Sequence, residues 1–257
     1  MNRRLPLSRA LGTISLGALC LSALLLSAGC AQVPTDPDQR AEYNEINDPL
    51  EPMNRKIFAV NMTLDNYLLE PVARAYRDDM PPRVQKCVHN VVGNLREPYV
   101  AGNEILQGRL SDAADDLGRF MINSTFGLGG LFDVIDPATG PKAHDSDIGV
   151  TLGVWGIGEG PYVMLPFFGP SNPRDTAGKV AEYWGDPVDA TFSAYNIVWE
   201  SYSRMGAATL DDRVQFLDPM DELKRNSLDL YAAIRSLYRQ HRASQVGGGG
   251  SEPQDHP

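Results

Sequence analysis

The chain is poor in the residues that build disulfide frameworks and metal centres: three cysteines and four histidines in 257 residues. That excludes a disulfide scaffold and any multi-cysteine metal site. None of His89, His144, His241 and His256 is paired at metal-ligand spacing, and no H-E-x-x-H occurs. There is no G-x-S-x-G elbow for a nucleophile, because Gly169-Pro-Ser171-Asn-Pro lacks the closing glycine. The glycines from Gly153 to Gly158 are not followed by Lys-Ser or Lys-Thr, which disfavours a nucleotide cradle. Basic charge is also scarce. The formal charge is −10, and Arg3, Arg4 and Arg9 supply all the charge of the first 29 residues. Beyond them stand 20 basic against 33 acidic groups, too acidic for nucleic acid or a polybasic grip on anionic lipid. His144 beside Asp145 and Asp147 is the best acid–base fragment, and it reads as part of a solvated turn. No catalytic residue and no metal ligand is assigned.

What is present begins with an address. Met1–Ala10 is basic, and Leu11–Gly29 is an uncharged run of 19 residues rich in Leu, Ala and Ser. The pattern is that of a signal peptide, residues 1–29; a retained membrane helix of about 19 residues is the competing reading. Leu26-Ser27-Ala28-Gly29-Cys30 decides for the signal, since small residues before a cysteine form a lipobox. Diacylglycerol and an acyl chain on Cys30 are then the only non-protein groups expected, with no cofactor. Cys20 leaves with the signal, so Cys87 is the one free thiol of the mature chain. Ala31, where Asp retains lipoproteins at the inner membrane, points to the outer membrane.

Residues 30–47 read as a lipidated tether, 48–244 as a helical body, and 245–257 as a disordered tail carrying four consecutive glycines. Composition is globular, with 42% hydrophobic and 22% charged residues. The segment from Asp48 to Leu69 is predicted helical with two apolar stripes. Met53, Ile57, Val60, Leu64, Tyr67 and Leu68 form one; Phe58, Met62 and Leu69 lie opposite. Such a helix is buried on all sides or lies in lipid, and Pro71 is expected to interrupt it. A second helix opens at Pro82 with Val84, Cys87, Val88, Val91, Val92 and Leu95 as a core stripe, and Pro98 begins a third. Ser111 is expected to cap the next, with Asp112, Asp115 and Asp116 suiting its positive end. Asp218 and Pro219 start a last helix whose stripe, Leu223 to Tyr238, reads as core.

Residues 148–173 differ from the rest: 26 residues with one charge, Glu159, six glycines and four prolines. The stretch is apolar enough for a membrane and too rich in Gly and Pro to span one as a helix. It is predicted to be neither helix nor strand: a buried loop, which composition favours, or a mobile hairpin at the mouth of a passage.

Asp48-Pro-Leu-Glu51 and Met53-Asn54-Arg55 resemble the MlaA (VacJ) family of outer-membrane lipoproteins. The likeness continues through Glu70-Pro-Val-Ala73, Tyr76-Arg77-Asp78 and Gly93-Asn94-Leu95-Arg96-Glu97-Pro98. It runs on through Phe120 to Asp133, then Thr151-Leu-Gly153-Val-Trp-Gly156-Ile-Gly158-Glu-Gly160-Pro-Tyr-Val163, Arg174-Asp175 and Tyr238-Arg239-Gln240-His241. It covers about Asp48–His241 in order.

The resemblance implies an all-α, ring-shaped monotopic lipoprotein in the periplasmic leaflet of a Gram-negative outer membrane, with a Gly/Pro-rich hairpin at a central channel. It implies that phospholipids are removed from the outer leaflet and passed to a periplasmic carrier protein, beside trimeric porins, with no enzymatic step. Gly153, Gly156, Gly158 and Gly160 map onto the gating hairpin's glycines. Asn61 and Met62 occupy a dipeptide whose loss deregulates the channel, the family usually having Phe at the second place. A porin-associated structural lipoprotein and a phospholipid hydrolase are the alternatives.

Overall fold

The computed structural model describes residues 46–135, 140–185 and 198–248. Cys30, the signal segment and residues 249–257 lie outside them. The described chain is helical: α1 Glu51–Leu64, α2 Glu70–Asp79, α3 Pro82–Leu106, α4 Leu110–Thr125, α5 Ile148–Val154, α6 Pro173–Gly185, α7 Val198–Gln215, α8 Leu217–Asn226 and α9 Leu230–Val246. One antiparallel hairpin, β1 Val163–Leu165 and β2 Gly169–Ser171, interrupts them.

Five expectations about helix ends are corrected. Pro71 does not interrupt the first helix; residues Asp65–Leu69 take π-helical pitch and join α1 to α2 with helical dihedrals at both junctions. A proline ring crowds the carbonyl four residues back and offers no N–H, and a wider turn relieves both. Pro98 likewise lies inside α3, a single helix of 25 residues, held by its long contact with α4. Ser111 is not a cap, since α4 begins from Arg109 without a side-chain cap. Towards the C-terminus the single expected helix is two, parted at Ser227 to Asp229. Asp229 caps α9 by accepting from the Ala232 N–H at 3.1 Å. α9 runs to Val246 with Gln245 buried, so the body reaches two residues into the segment expected to be tail.

The 148–173 stretch is also more regular than expected. It opens with α5, capped where Asp147 accepts from the Val150 N–H at 2.8 Å, and closes with the hairpin. Val163 pairs with Ser171 and Leu165 with Gly169 around a turn at Phe167, φ 67°.

The apolar core is small. Met53 and Ile57 of α1, Tyr162 and Met164 of the hairpin, and Tyr231 of α9 form it, with Leu50, Phe58 and Tyr238 packed against them. Tyr231 lies edge-on to Phe58 and Tyr162, with centroids 5.6 and 6.1 Å away. Among the described residues 13 hydrophobic side chains are buried against 17 polar or charged ones, while 25 large hydrophobic side chains are exposed. Scattered exposed leucines are ordinary, but a polar interior beneath an apolar exterior is not. The expected stripes show it. Val84 is exposed and Val88, Val91, Val92 and Leu95 are half-covered, whereas Asn94, Glu97, Asn103 and Glu104 of the same helix are buried. Val60, Tyr67 and Leu68 of the first helix stand exposed, as does Leu237 of α9. Cys87, expected to be a packed core thiol, is half-buried and free. Among the described residues no helix is long and apolar enough to cross a membrane.

Candidate functional site

The hairpin is held from three sides, and α1 supplies the first. Asn54, fully buried, accepts from the Met164 N–H at 2.9 Å and donates to the Tyr162 carbonyl at 3.1 Å and to Asp48 at 2.8 Å. Asn61, two turns further along, accepts from the Phe167 N–H at 2.9 Å and donates to the Leu165 carbonyl at 2.8 Å. Each side-chain amide thus pairs with backbone as a neighbouring strand would. Met62 is half-buried beside it.

The second support is α9. The Tyr231 hydroxyl and Arg235, at 2.7 Å, both donate to Asp48, while Tyr238 and Arg242 converge on Asp175 at the start of α6. Arg242 also holds Asp147 through two bonds of 2.8 and 2.9 Å, fixing the start of α5. Burial works against the Asp175 carboxylate, yet the Arg242 guanidinium and the Tyr238 hydroxyl hold its pKa below the usual range. Burial and the hydrogen bond to Asp175 push the Tyr238 hydroxyl up. Pairs this deeply buried are compensated by additional hydrogen bonds rather than by water, and Asn172 supplies one to Asp175 at 2.9 Å.

The third support is local. The Tyr162 N–H donates to the Asn47 carbonyl at 2.8 Å, Asn47 donates to the Gly160 carbonyl at 2.7 Å, and the Trp155 indole donates to the Leu106 carbonyl at 2.9 Å. Only the outer parts remain exposed: Trp155, Ile157, and the tip residues Phe167 and Phe168 at 80% and 70%.

The four expected hinge glycines have different surroundings. Gly153 lies inside α5, where a Cβ would stand 2.6 Å from Val246 and 2.8 Å from Arg174, so packing accounts for it. Gly156 and Gly160 have φ of 89° and 71°, which a side chain rarely adopts. Gly158 has open space and no such dihedral. Asp112 and Asp115 are half-buried in the first turns of α4, but Asp116 is buried and accepts from the backbone and ring nitrogens of His144 at 3.1 and 3.0 Å. His144 is therefore a packed partner of Asp116 rather than a solvated turn beside Asp145 and Asp147. No group of three metal-ligating side chains is gathered among the described residues.

The sequence names Asp147 only beside His144 and Asp175 only within the family likeness, and nothing in it points to Arg242 or joins the three, which stand far apart along the chain. One signal was available: Asp147 directly precedes an apolar helical turn, as an N-cap does.

These features define a class: a helical protein with apolar side chains outward, polar groups inward, and a clamped glycine-rich hairpin between its first and last helices. The sequence matches the family model of the MlaA lipoprotein over residues 46–245. It is 36% identical over 250 residues to the intermembrane phospholipid transport system lipoprotein MlaA of Shigella flexneri, covering 95% of this chain and 93% of that one. The Escherichia coli protein of the same description is 36% identical over 249 residues, with the same coverage. A solved structure from work on the structural basis for maintenance of bacterial outer membrane lipid asymmetry superposes with a TM-score of 0.64 at 35% identity, covering 77% of this chain and 98% of that one. The chain belongs to the MlaA lipoprotein family.

Proposed function

We propose that this protein is the outer-membrane lipoprotein of an intermembrane phospholipid transport system, removing phospholipids from the outer leaflet and so preserving lipid asymmetry. The observation that carries the reading is the inverted side-chain distribution: 25 large hydrophobic groups exposed over a polar interior, with no spanning helix among the described residues. Such a body lies in one leaflet, its apolar exterior facing acyl chains. The names of its relatives, which are intermembrane phospholipid transport lipoproteins, support the same reading.

Acylation of Cys30 anchors the chain in the periplasmic leaflet, and the helices surround a passage closed by the hairpin. Headgroups cross beside the inward polar groups while acyl chains follow apolar walls. No bond is broken, and energy for direction comes from other machinery. A periplasmic carrier receives the lipid, and a trimeric porin steadies the ring. Gly156 and Gly160 let the hairpin move, with Asn61 as its latch.

The test is surface-accessible phospholipid in the native bacterium with and without this chain, beside total lipid composition. More outer-leaflet phospholipid after deletion, with lysolipid unchanged, is the expected result. A matching change in lysolipid marks a hydrolase instead, and no change in either leaves only a scaffold for porins.

A further inference from the structure

An open cavity of about 380 Å³ lies between the loop carrying Glu159 and the end of α9, lined by Arg174, Arg239, Arg242 and Val246. The three guanidiniums are not equivalent. Arg242 is used up on Asp147, Asp175 and Gln245. Arg239 is held by Glu159 at 2.8 Å and by the Ile46 carbonyl at 3.0 Å. Arg174 is only 8% exposed and gives its Nε to Asp175 at 2.9 Å. No acceptor among the described residues meets its two η nitrogens, and Arg174 lines the cavity.

A guanidinium buried this far with its fork unanswered is a site for a planar or tetrahedral oxyanion, which accepts two N–H groups at once. A second unanswered group lies close by. The Tyr162 hydroxyl is buried without a partner in a narrow crevice whose walls include the same Glu159 and Arg239. Glu159 is the only charge in residues 148–173. It stands between Gly158 and Gly160, so the loop brings its own carboxylate to Arg239.

We propose that this cavity binds a phosphate-type anion on Arg174 and Arg239, which takes the place of the Glu159 carboxylate and frees the glycine loop. Two sources share that chemistry, the phosphodiester of a phospholipid headgroup and free phosphate. Assignment to the lipid rests on the transport reading above. Arrival of a headgroup then loosens the loop that leads into the hairpin, coupling cargo to gate by exchange of one anion for another.

The experiment titrates the full chain in neutral detergent with dihexanoyl phosphatidylglycerol, inorganic phosphate and, as control, uncharged dihexanoylglycerol. Arg174→Gln is expected to weaken phosphodiester binding roughly ten- to a hundredfold, the loss of a charge-assisted pair. Glu159→Gln is expected to tighten it roughly two- to fivefold, the release of a half-exposed competing ion pair. If Arg174→Gln fails to fold, Glu159→Gln decides alone, since a packing role for Glu159 gives no gain in affinity. The same pattern with inorganic phosphate but not the lipid keeps the anion site and assigns it to free phosphate. Equal affinities in the parent and both variants, or binding of dihexanoylglycerol as tight as that of the charged lipid, overturn the proposal. Surface phospholipid in cells separates this from the broader reading. A deletion strain with normal asymmetry ends the transport function and leaves a phosphate site standing; a leaky deletion strain with flat titrations ends the site alone.

Discussion

Asn54 and Asn61 stand seven residues apart on α1, and each grips the hairpin with both ends of its side-chain amide. Their surroundings set unequal consequences for removal. Asn54 is fully buried and also satisfies Asp48, so Asn54→Ala strands three buried groups. Asn61 bonds beside the exposed turn, where water replaces it. Asn54→Ala is therefore expected to destabilise by roughly 2–4 kcal/mol and Asn61→Ala by about 1 kcal/mol or less, read from thermal unfolding in detergent. With the fold intact, Asn61→Ala should loosen the turn at Phe167, seen as faster amide exchange there. Equal losses of stability would mean that α1 does not latch the hairpin in this graded way.

Deleting Asn61 and Met62 together does something different. Two residues removed from a helix rotate all that follows by roughly 200°. The groups that follow are anchored: Asp65 to Arg213 at 2.6 Å, Glu70 to Lys224 at 2.9 Å and Arg74 to Asp221 at 2.8 Å. The deletion removes the Asn61 latch outright, and the chain must then either lose those pairs or twist α1 against the hairpin at Asn54. An unlatched but folded protein should leak phospholipid to the outer leaflet even beside a wild-type copy. A defect seen only when the wild-type copy is absent would point to misfolding.

Much of the fold was legible in the sequence, and the part that was not has two physical causes. Periodicity located the helical segments beginning near Asp48, at Pro82 and at Asp218, though not the break before Leu230, because 3.6-residue stripes survive whatever they face. It does not say whether a stripe meets protein or lipid. Val84, Val91 and Leu95 were read as core because apolar stripes face inward in water. Here the buried residues of the same helix are instead Asn94, Glu97, Asn103 and Glu104 together with Tyr99, Val100 and Ala101. The hairpin site was legible through its glycines and its single charge. Its clamp was not, because Asp48 meets Arg235 across 187 positions and Asp147 meets Arg242 across 95, and no local pattern marks such pairs.

The glycines of the loop separate packing from mobility. Gly153→Val forces a side chain onto Val246 and Arg174, and overpacking of this kind costs roughly 1–3 kcal/mol. Gly158→Ala meets open space with an ordinary dihedral and should leave both the melting temperature and lipid removal within error. Gly156→Val keeps open space but strains a φ of 89°, so it should impair lipid removal more than it lowers the protein level. If Gly153→Val melts like the parent, the packing account of that residue fails. If Gly156→Val removes lipid normally, the loop need not move.

A pH test addresses the polar interior itself. Burial, then the Asp116 carboxylate beside it, raise Glu97 from 4.5 to about 7, against the opposing pull of Arg119. A carboxyl group raised in this way binds its proton more tightly when folded than when unfolded. Its stabilising contribution is complete below about pH 4.5 and is lost as pH rises through 7. One oxygen each of Glu97 and Asp116 lacks a hydrogen-bond partner, as expected where a proton is shared. Glu97→Gln fixes the neutral form, keeps an oxygen for the Arg119 Nε, now 3.1 Å away, and offers an N–H to Asp116. The variant should melt higher than the parent at pH 8, by roughly 1–3 kcal/mol of stability, and match it near pH 5. A gain of the same size at both pH values would mean that Glu97 stays ionised in the folded protein, and that Arg119 alone governs this part of the interior.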